Sequence, residues 1–300
     1  MLEDQIKFSR EVSDFTTKIN MSAIFRNIHH EVSFMLPEEL TKKNYSKGIY
    51  TADIGKYSGP SAFIDSANNN SDLVFIIFSD YSIPYDLPPN IFTIKVNWIG
   101  SDTRFIGKFF KLLPHIFLDN FESLLWIDSN MVLQPINALF ESSRPYDFVC
   151  LLHDKRTSIP SEAAELILHG KDDKETLDRL ILSYNKLTEG LEEIPLLAGR
   201  FLLRKSNERI QNFNNLWFNL LVNGSIRDQL SLPIAESMTS INSLALPSKN
   251  ASGLFRVMFH KKYDVSQYGK GFLPFLRSNI SKLKYKLAKL KYSIKNWLKF

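Results

Sequence analysis

Six consecutive apolar residues, Leu73 to Phe78, stand between acids in SDLVFIIFSD, residues 71–80. A run this short and this uniformly apolar is a strand buried on both faces rather than an amphipathic helix. Similar runs recur at Ile49–Asp53, 90–98, 124–128 and 146–156. Between them, Phe105, Phe109, Leu112 and Leu113 fall at helical spacing within 102–119. Doubly buried strands alternating with helices over the first 155 residues predict a mostly parallel α/β sheet covered on both faces. Further on, the spacing predicts helices opening near 161 and at Asn207, and a strand over 194–206 interrupted by Gly199. A glycine inside a strand marks a bulge or a close backbone approach.

Residues 1–46 are expected to be a helical extension, with apolar residues at Phe15, Ile19, Ile24 and Ile28. Residues 47–265 form the main domain, and 266–300 a basic tail. The net charge of +5 sits in that tail: residues 277–300 hold eight Lys or Arg and no acid, which leaves the rest net acidic. A basic pI confined to one end is not the footprint of a nucleic-acid-binding domain. In the tail, Leu283, Leu287, Leu290, Ile294 and Leu298 recur every three or four residues, with lysines between them and Trp297 near the end. That pattern predicts a basic amphipathic helix for an anionic membrane surface, or a helix packed on the body. No apolar run reaches the roughly 18–20 residues of a membrane span, and the first residues are acidic where a signal peptide is basic. The expected location is cytoplasmic, peripheral on the inner face of the membrane. Cys150, the single cysteine, reads as a buried strand residue.

The candidate chemistry clusters at strand ends. LLWID ends on Asp128, followed by Ser129 and Asn130. Ligands of open α/β sheets sit beyond the carboxyl ends of strands. There Asp128 and Asn130 supply oxygens to a hard divalent cation, Mn²⁺ or Mg²⁺. The same three residues also make an ordinary Asx-type turn. His153, at the end of another strand, is a candidate ligand, base or acceptor contact, with Arg156 as a candidate phosphate contact. Arg104 and Lys108 lie four apart on one helix face and Lys111 three further on, so all three are candidates for a diphosphate. Thr51 and Asp53 close the first strand beside them. Arg227 and Asp228 open a helix, where an acid is favoured by the dipole alone or serves an acceptor hydroxyl as base or orienting group. His260 and Lys262 close a strand-like run, as candidates for a third metal ligand and a phosphate contact.

Taken in order, YTADIG, DTRFIGKFFKLLPH, LLWIDSNMVL, LLHDKRTSIPSEA, LLAGRFLLR and LWFNLLVNGSIRDQLSLP resemble the TOD/MUCI-type glycosyltransferase-like family. The resemblance covers roughly 47–262 and includes the Arg227–Gln229 motif. It implies a GT-A-like, Rossmann-type sheet flanked by helices. It also implies a nucleotide-sugar donor, a divalent metal held by an Asp-x-Asp-like motif, and often a late histidine, which His260 matches. Asn130 departs from the fully acidic form of that motif. The implied activity is sugar transfer to a surface-polysaccharide or lipid-linked glycan acceptor. Alternatives are a non-catalytic membrane-bound scaffold and a lipid amidase. No Gly-x-Ser-x-Gly elbow or zinc-type cluster supports the amidase.

Overall fold

The computed structural model describes residues 32–56, 59–83, 86–98, 103–187, 194–249, 251 and 253–258. The expected helix in the first 31 residues, His260, Lys262 and the basic tail 277–300 lie outside the described residues.

The apolar runs become strands β1 (Val32–Phe34), β2 (Tyr45–Asp53), β3 (Val74–Ser79), β4 (Ile91–Trp98), β5 (Phe121–Ile127), β6 (Met131–Leu133), β7 (Phe148–Leu152), β8 (Leu197–Lys205), β9 (Ser243–Leu246) and β10 (Phe255–Val257). Eight of them form one sheet in the order β1-β4-β3-β2-β5-β8-β7-β9, and β10 pairs with β6 in a separate ribbon. Strands β2, β3, β4 and β5 are mutually parallel, β7 and β9 are parallel, and β8 runs antiparallel to both β5 and β7. The expected α/β architecture with a largely parallel sheet is therefore what the chain adopts.

Helices α1 (Glu38–Lys42), α2 (Ser61–Asn69), α3 (Thr103–Leu112), α4 (Asn137–Ser142), α5 (Ile159–Leu168), α6 (Lys174–Leu187), α7 (Glu208–Val222) and α8 (Asp228–Met238) cover the sheet. One face buries Tyr50, Phe78 and Trp126 against α3, α5, α7 and α8. The other buries Ile49, Phe75 and Leu125 against α2, α4 and the β6–β10 ribbon. Alternate residues of one strand thus enter two different cores, which is why β3 reads as an unbroken apolar run. Among the described residues, no helix is long and apolar enough to cross a membrane.

Where it is described, the segment read as a helical extension holds one short helix, α1, between two strands. Val32–Phe34 adds an edge strand to the main sheet, antiparallel to β4. Phe34 anchors it, packing edge-on to Phe78, Phe110 and Phe117 at 5.3–5.7 Å between ring centroids. A three-residue strand is too short to show a period, and one aromatic anchor decides its place.

The glycine marks the irregularity expected of it: Cys150 pairs with Leu202 and Leu151 with Ala198, so Gly199–Phe201 bulge out of the β7 pairing while remaining within β8. Cys150 is buried in β7, where burial pushes its thiol well above the usual range.

Candidate active site

From β2 the chain moves outward to β3 and β4 and then returns to form β5 on the other side of β2. A topological switch point therefore lies between the carboxyl ends of β2 and β5, where an α/β sheet opens a crevice. A cleft of about 420 Å³ opens there, bordered by Asp53 from the end of β2 and by Asp128, Ser129 and Asn130 after β5. Helix α3 contributes Arg104, Gly107, Lys108 and Lys111, and the start of α8 contributes Ile226, Arg227 and Asp228. Three carboxylates and four cations thus face one cavity, although they are up to 175 positions apart in sequence.

Asp228 is the electrostatic centre. Its Oδ1 accepts from Lys108 Nζ at 2.7 Å and its Oδ2 from Lys111 Nζ at 2.5 Å. Burial alone would raise the Asp228 carboxyl, but the two ammonium groups outweigh it and hold the pKa far below the usual value. Burial lowers Lys108, while the Asp228 charge works in the opposite direction. A carboxylate held this firmly in its ionised form is a poor proton acceptor. Of the two roles expected for Asp228, base or orienting group, the pairing of both its oxygens with ammonium groups favours the second. Trp217 Nε1 donates to Asp228 O at 3.2 Å and to Ser231 Oγ at 3.1 Å, which fixes the start of α8.

Lys111 is 4% exposed, and its ammonium also lies 3.9 Å from Asp128 Oδ1 and 5.6 Å from the centroid of the Trp126 ring. Its carbonyl accepts from Tyr50 Oη at 3.0 Å and from the buried Arg204 at 2.9 Å. The last turn of α3 is therefore held from beneath. Burial pushes the Tyr50 hydroxyl up to about 12, so it remains a donor.

Asp128 is less enclosed, its side chain 45% exposed. Trp126 Nε1 donates to Asp128 Oδ1 at 3.1 Å. The backbone of the turn is closed by Asp128 N–H on Arg200 O and Met131 N–H on Asp128 O, both 3.0 Å. Asn130 Nδ2 donates to Met258 O at 3.0 Å. Asp53 accepts from the Tyr81 hydroxyl.

The remaining candidates lie elsewhere. Thr51 is fully buried in β2, and its Oγ1 finds no hydrogen-bond partner, so it has no access to a donor phosphate. His153 Nδ1 accepts from the backbone N–H of Lys155 (3.2 Å) and Arg156 (3.1 Å). Burial, and then the Arg156 charge, lower its pKa. Arg156 pairs with the buried Glu162 and with Glu165, tying the loop to α5. Both residues build the loop after β7 rather than the cleft. Trp126, Tyr81 and Gly199 were not singled out as site residues. Trp126 stands two positions before Asp128, and its indole reaches back to the carboxylate. Among the described residues, no group of three or more His, Cys, Asp or Glu is placed to hold a metal ion.

Gly199 explains itself through this site. A Cβ there would lie 2.8 Å from Asp228 Oδ2 and 3.0 Å from Lys111 Nζ. Gly199→Ala is expected to displace the ion pair while leaving β8 intact. Activity should fall at least tenfold, with a loss in denaturation midpoint small by comparison. Equal losses in both would mean that the strand itself had been disrupted.

The switch point of this α/β sheet thus holds a cleft of mixed charge, with a carboxylate directly after strand β5. The TOD1/MUCI70, glycosyltransferase-like domain matches residues 91–260, more than half of the chain, and the chain belongs to that family. No curated protein matches. Solved structures with similar traces include the bifunctional glycosyltransferase WbbM, at TM-score 0.43 and 10% identity over 71% of this chain and 40% of that one. The galactosyltransferase LgtC, in complex with donor and acceptor sugar analogs, gives 0.41 and 9% over 66% and 72%. The glycosyltransferase GlyE of Streptococcus pneumoniae TIGR4 gives 0.40 and 13% over 68% and 45%. The chain thus spans less than half of the WbbM and GlyE chains.

Proposed function

We propose that this protein transfers a sugar from a nucleoside-diphosphate donor to a surface-polysaccharide or lipid-linked glycan acceptor. The observation that carries this reading is the single cleft in which Arg104, Lys108, Lys111 and Arg227 converge beside Asp128. Arg104 and Lys108 face the donor diphosphate, and Lys111 supplies charge from beneath. Asp228 keeps the two lysines extended into the cleft. Arg227, beside it, meets the acceptor.

Asp128 and Asn130 fit a Mn²⁺ or Mg²⁺ ion in one respect: they offer a carboxylate and an amide at a solvent-facing strand end. Such ions are commonly held by one or two protein oxygens together with substrate phosphates and water. When bound, the ion would stabilise the charge of the departing diphosphate. His260 follows Met258 by two residues, about 7 Å of chain at most, and is retained as a candidate ligand, with Lys262 as a phosphate contact. Residues 277–300 would bring the enzyme to an anionic inner-leaflet surface.

A scaffold that binds no nucleotide is the second reading. It is favoured by the neutral Asn130 and by the internal pairing of Lys108 and Lys111 with Asp228. A thermal-shift screen separates the two. UDP, GDP, CDP and their sugars are each tested with Mn²⁺, Mg²⁺ or EDTA. A ligand at 100 times its Kd stabilises by about 2.7 kcal/mol, which raises Tm by several degrees. A metal-dependent shift with one nucleotide is expected. A shift indifferent to EDTA would remove the metal role of Asp128, and no shift with any nucleotide would favour the scaffold.

A further inference from the structure

Asn130 is joined to the chain's last described segment by two hydrogen bonds. Met258 N–H donates to Asn130 O at 2.8 Å, and Asn130 Nδ2 donates to Met258 O at 3.0 Å. The pair extends the β6–β10 ladder by one residue, beyond the Val257–Met131 pairing. At the other end of this arm, Leu254 O accepts from Gln134 N–H at 2.9 Å, and Phe255 stacks on Phe201 with centroids 5.7 Å apart. Val257 and Met258 have exposed side chains, so little apolar burial holds the tip of the arm. Among the described residues, the hydrogen bonds that fasten it there are the Asn130 pair.

The chemistry of that pair fixes the identity of the residue. A backbone carbonyl only accepts, so the amide atom facing Met258 O must be the nitrogen. A carboxylate at the same position has no proton to give at neutral pH and would set oxygen against oxygen. Asparagine alone has this length, donates through one atom and offers an oxygen through the other, on a residue that also borders the donor cleft.

We propose that Asn130 is a positioning residue that fastens the arm 254–258 to the rim of the donor cleft and couples the order of the arm to occupancy of the cleft. The requirement for a donor to Met258 sets asparagine rather than aspartate at this position. The fastening follows from the geometry alone, whereas the coupling rests on the donor-and-cation reading above.

Hydrogen exchange of the full chain, read at the amides of 254–258, tests both halves. Asn130→Asp keeps shape and an oxygen ligand but removes the donor, and is expected to speed arm exchange about tenfold or more. Met258→Pro removes the reciprocal N–H from the arm's side without touching residue 130, and should reproduce that loosening. In the unaltered protein, Mn²⁺ with whichever of UDP, GDP or CDP binds should slow arm exchange further, and in both variants this slowing should be lost. Unchanged exchange in Asn130→Asp overturns the fastening. A ligand-induced slowing that survives in Asn130→Asp overturns the coupling. If no nucleotide shifts the unaltered protein in the thermal screen, the transferase reading fails, and the fastening is then judged on ligand-free exchange alone.

Discussion

Replacing Asp228 by alanine is expected to destabilise the protein by about 3–5 kcal/mol, as removal of one partner from a buried ion pair generally does. Here two partners are stranded. Among the described residues, Lys108 and Lys111 lose their only carboxylate within 3 Å, and Lys111 is 4% exposed. Lys111 retains Asp128, but at 3.9 Å. Chemical denaturation should show a lower midpoint with an unchanged slope, because the surface exposed on unfolding is the same. Adding Lys111→Met to Asp228→Ala should recover part of the loss, since it removes a charge that has become unpaired. Additive losses in the double variant would show that the pair contributes nothing to stability.

The same pair has a signature in pH. The folded pKa of Asp228 is depressed below its ordinary 3.8, so its stabilising effect is complete above that value. It is lost as pH falls from there through the lower folded value. His115 acts earlier. Burial between Asn214 and Asn215 lowers its pKa from 6.5 to about 4. The unfolded chain therefore binds a proton that the folded chain refuses, and stability declines as pH falls from 6.5 to about 4. Asp228→Ala should retain the upper decline and lack the lower one.

Much of the fold is legible because burial on two faces leaves a local mark. The runs around Leu73–Phe78 and 124–128 are strands for that reason, and Asn207 caps α7 through a bond from Ile210 N–H, as its position implies. The cleft was partly legible. Arg104, Lys108 and Lys111 share one helical face, and Asp128 ends a strand, both of which are short-range patterns. What a sequence does not display is pairing at a distance. Lys111 and Asp228 are 117 positions apart, and nothing near either one says that they meet. Hence Asp228 read as a base or an orienting group, with no sign in the sequence of the two lysines it pairs with. Arg156 read as a phosphate contact, but it is paired with Glu162, six positions on, a partner outside the helical spacing by which such pairs are recognised. Gly199 is the instructive intermediate case. Its place in an apolar run announced a close approach, and only the fold supplies the groups that approach it.

Asp128→Ala is the complementary experiment, with a large effect on transfer and a small one on the fold. The side chain is 45% exposed, and its bonds are one from Trp126 Nε1 at 3.1 Å and a distant contact with Lys111. Loss of a single part-buried hydrogen bond costs about 1 kcal/mol, so the chain should remain folded with a Tm lowered by only a few degrees. Transfer should fall at least a hundredfold, because removal of a group that stabilises developing charge typically costs about 10²–10³ in rate. The Mn²⁺-dependent part of the nucleotide thermal shift should vanish, while any EDTA-insensitive part survives through Arg104 and Lys108. Asp128→Asn divides the role further. It preserves size and an oxygen ligand but removes the charge, so partial metal dependence would be retained if coordination matters and lost if charge does. A fully active, folded Asp128→Ala protein would place the metal elsewhere. The four cations would then be left to hold the diphosphate without it.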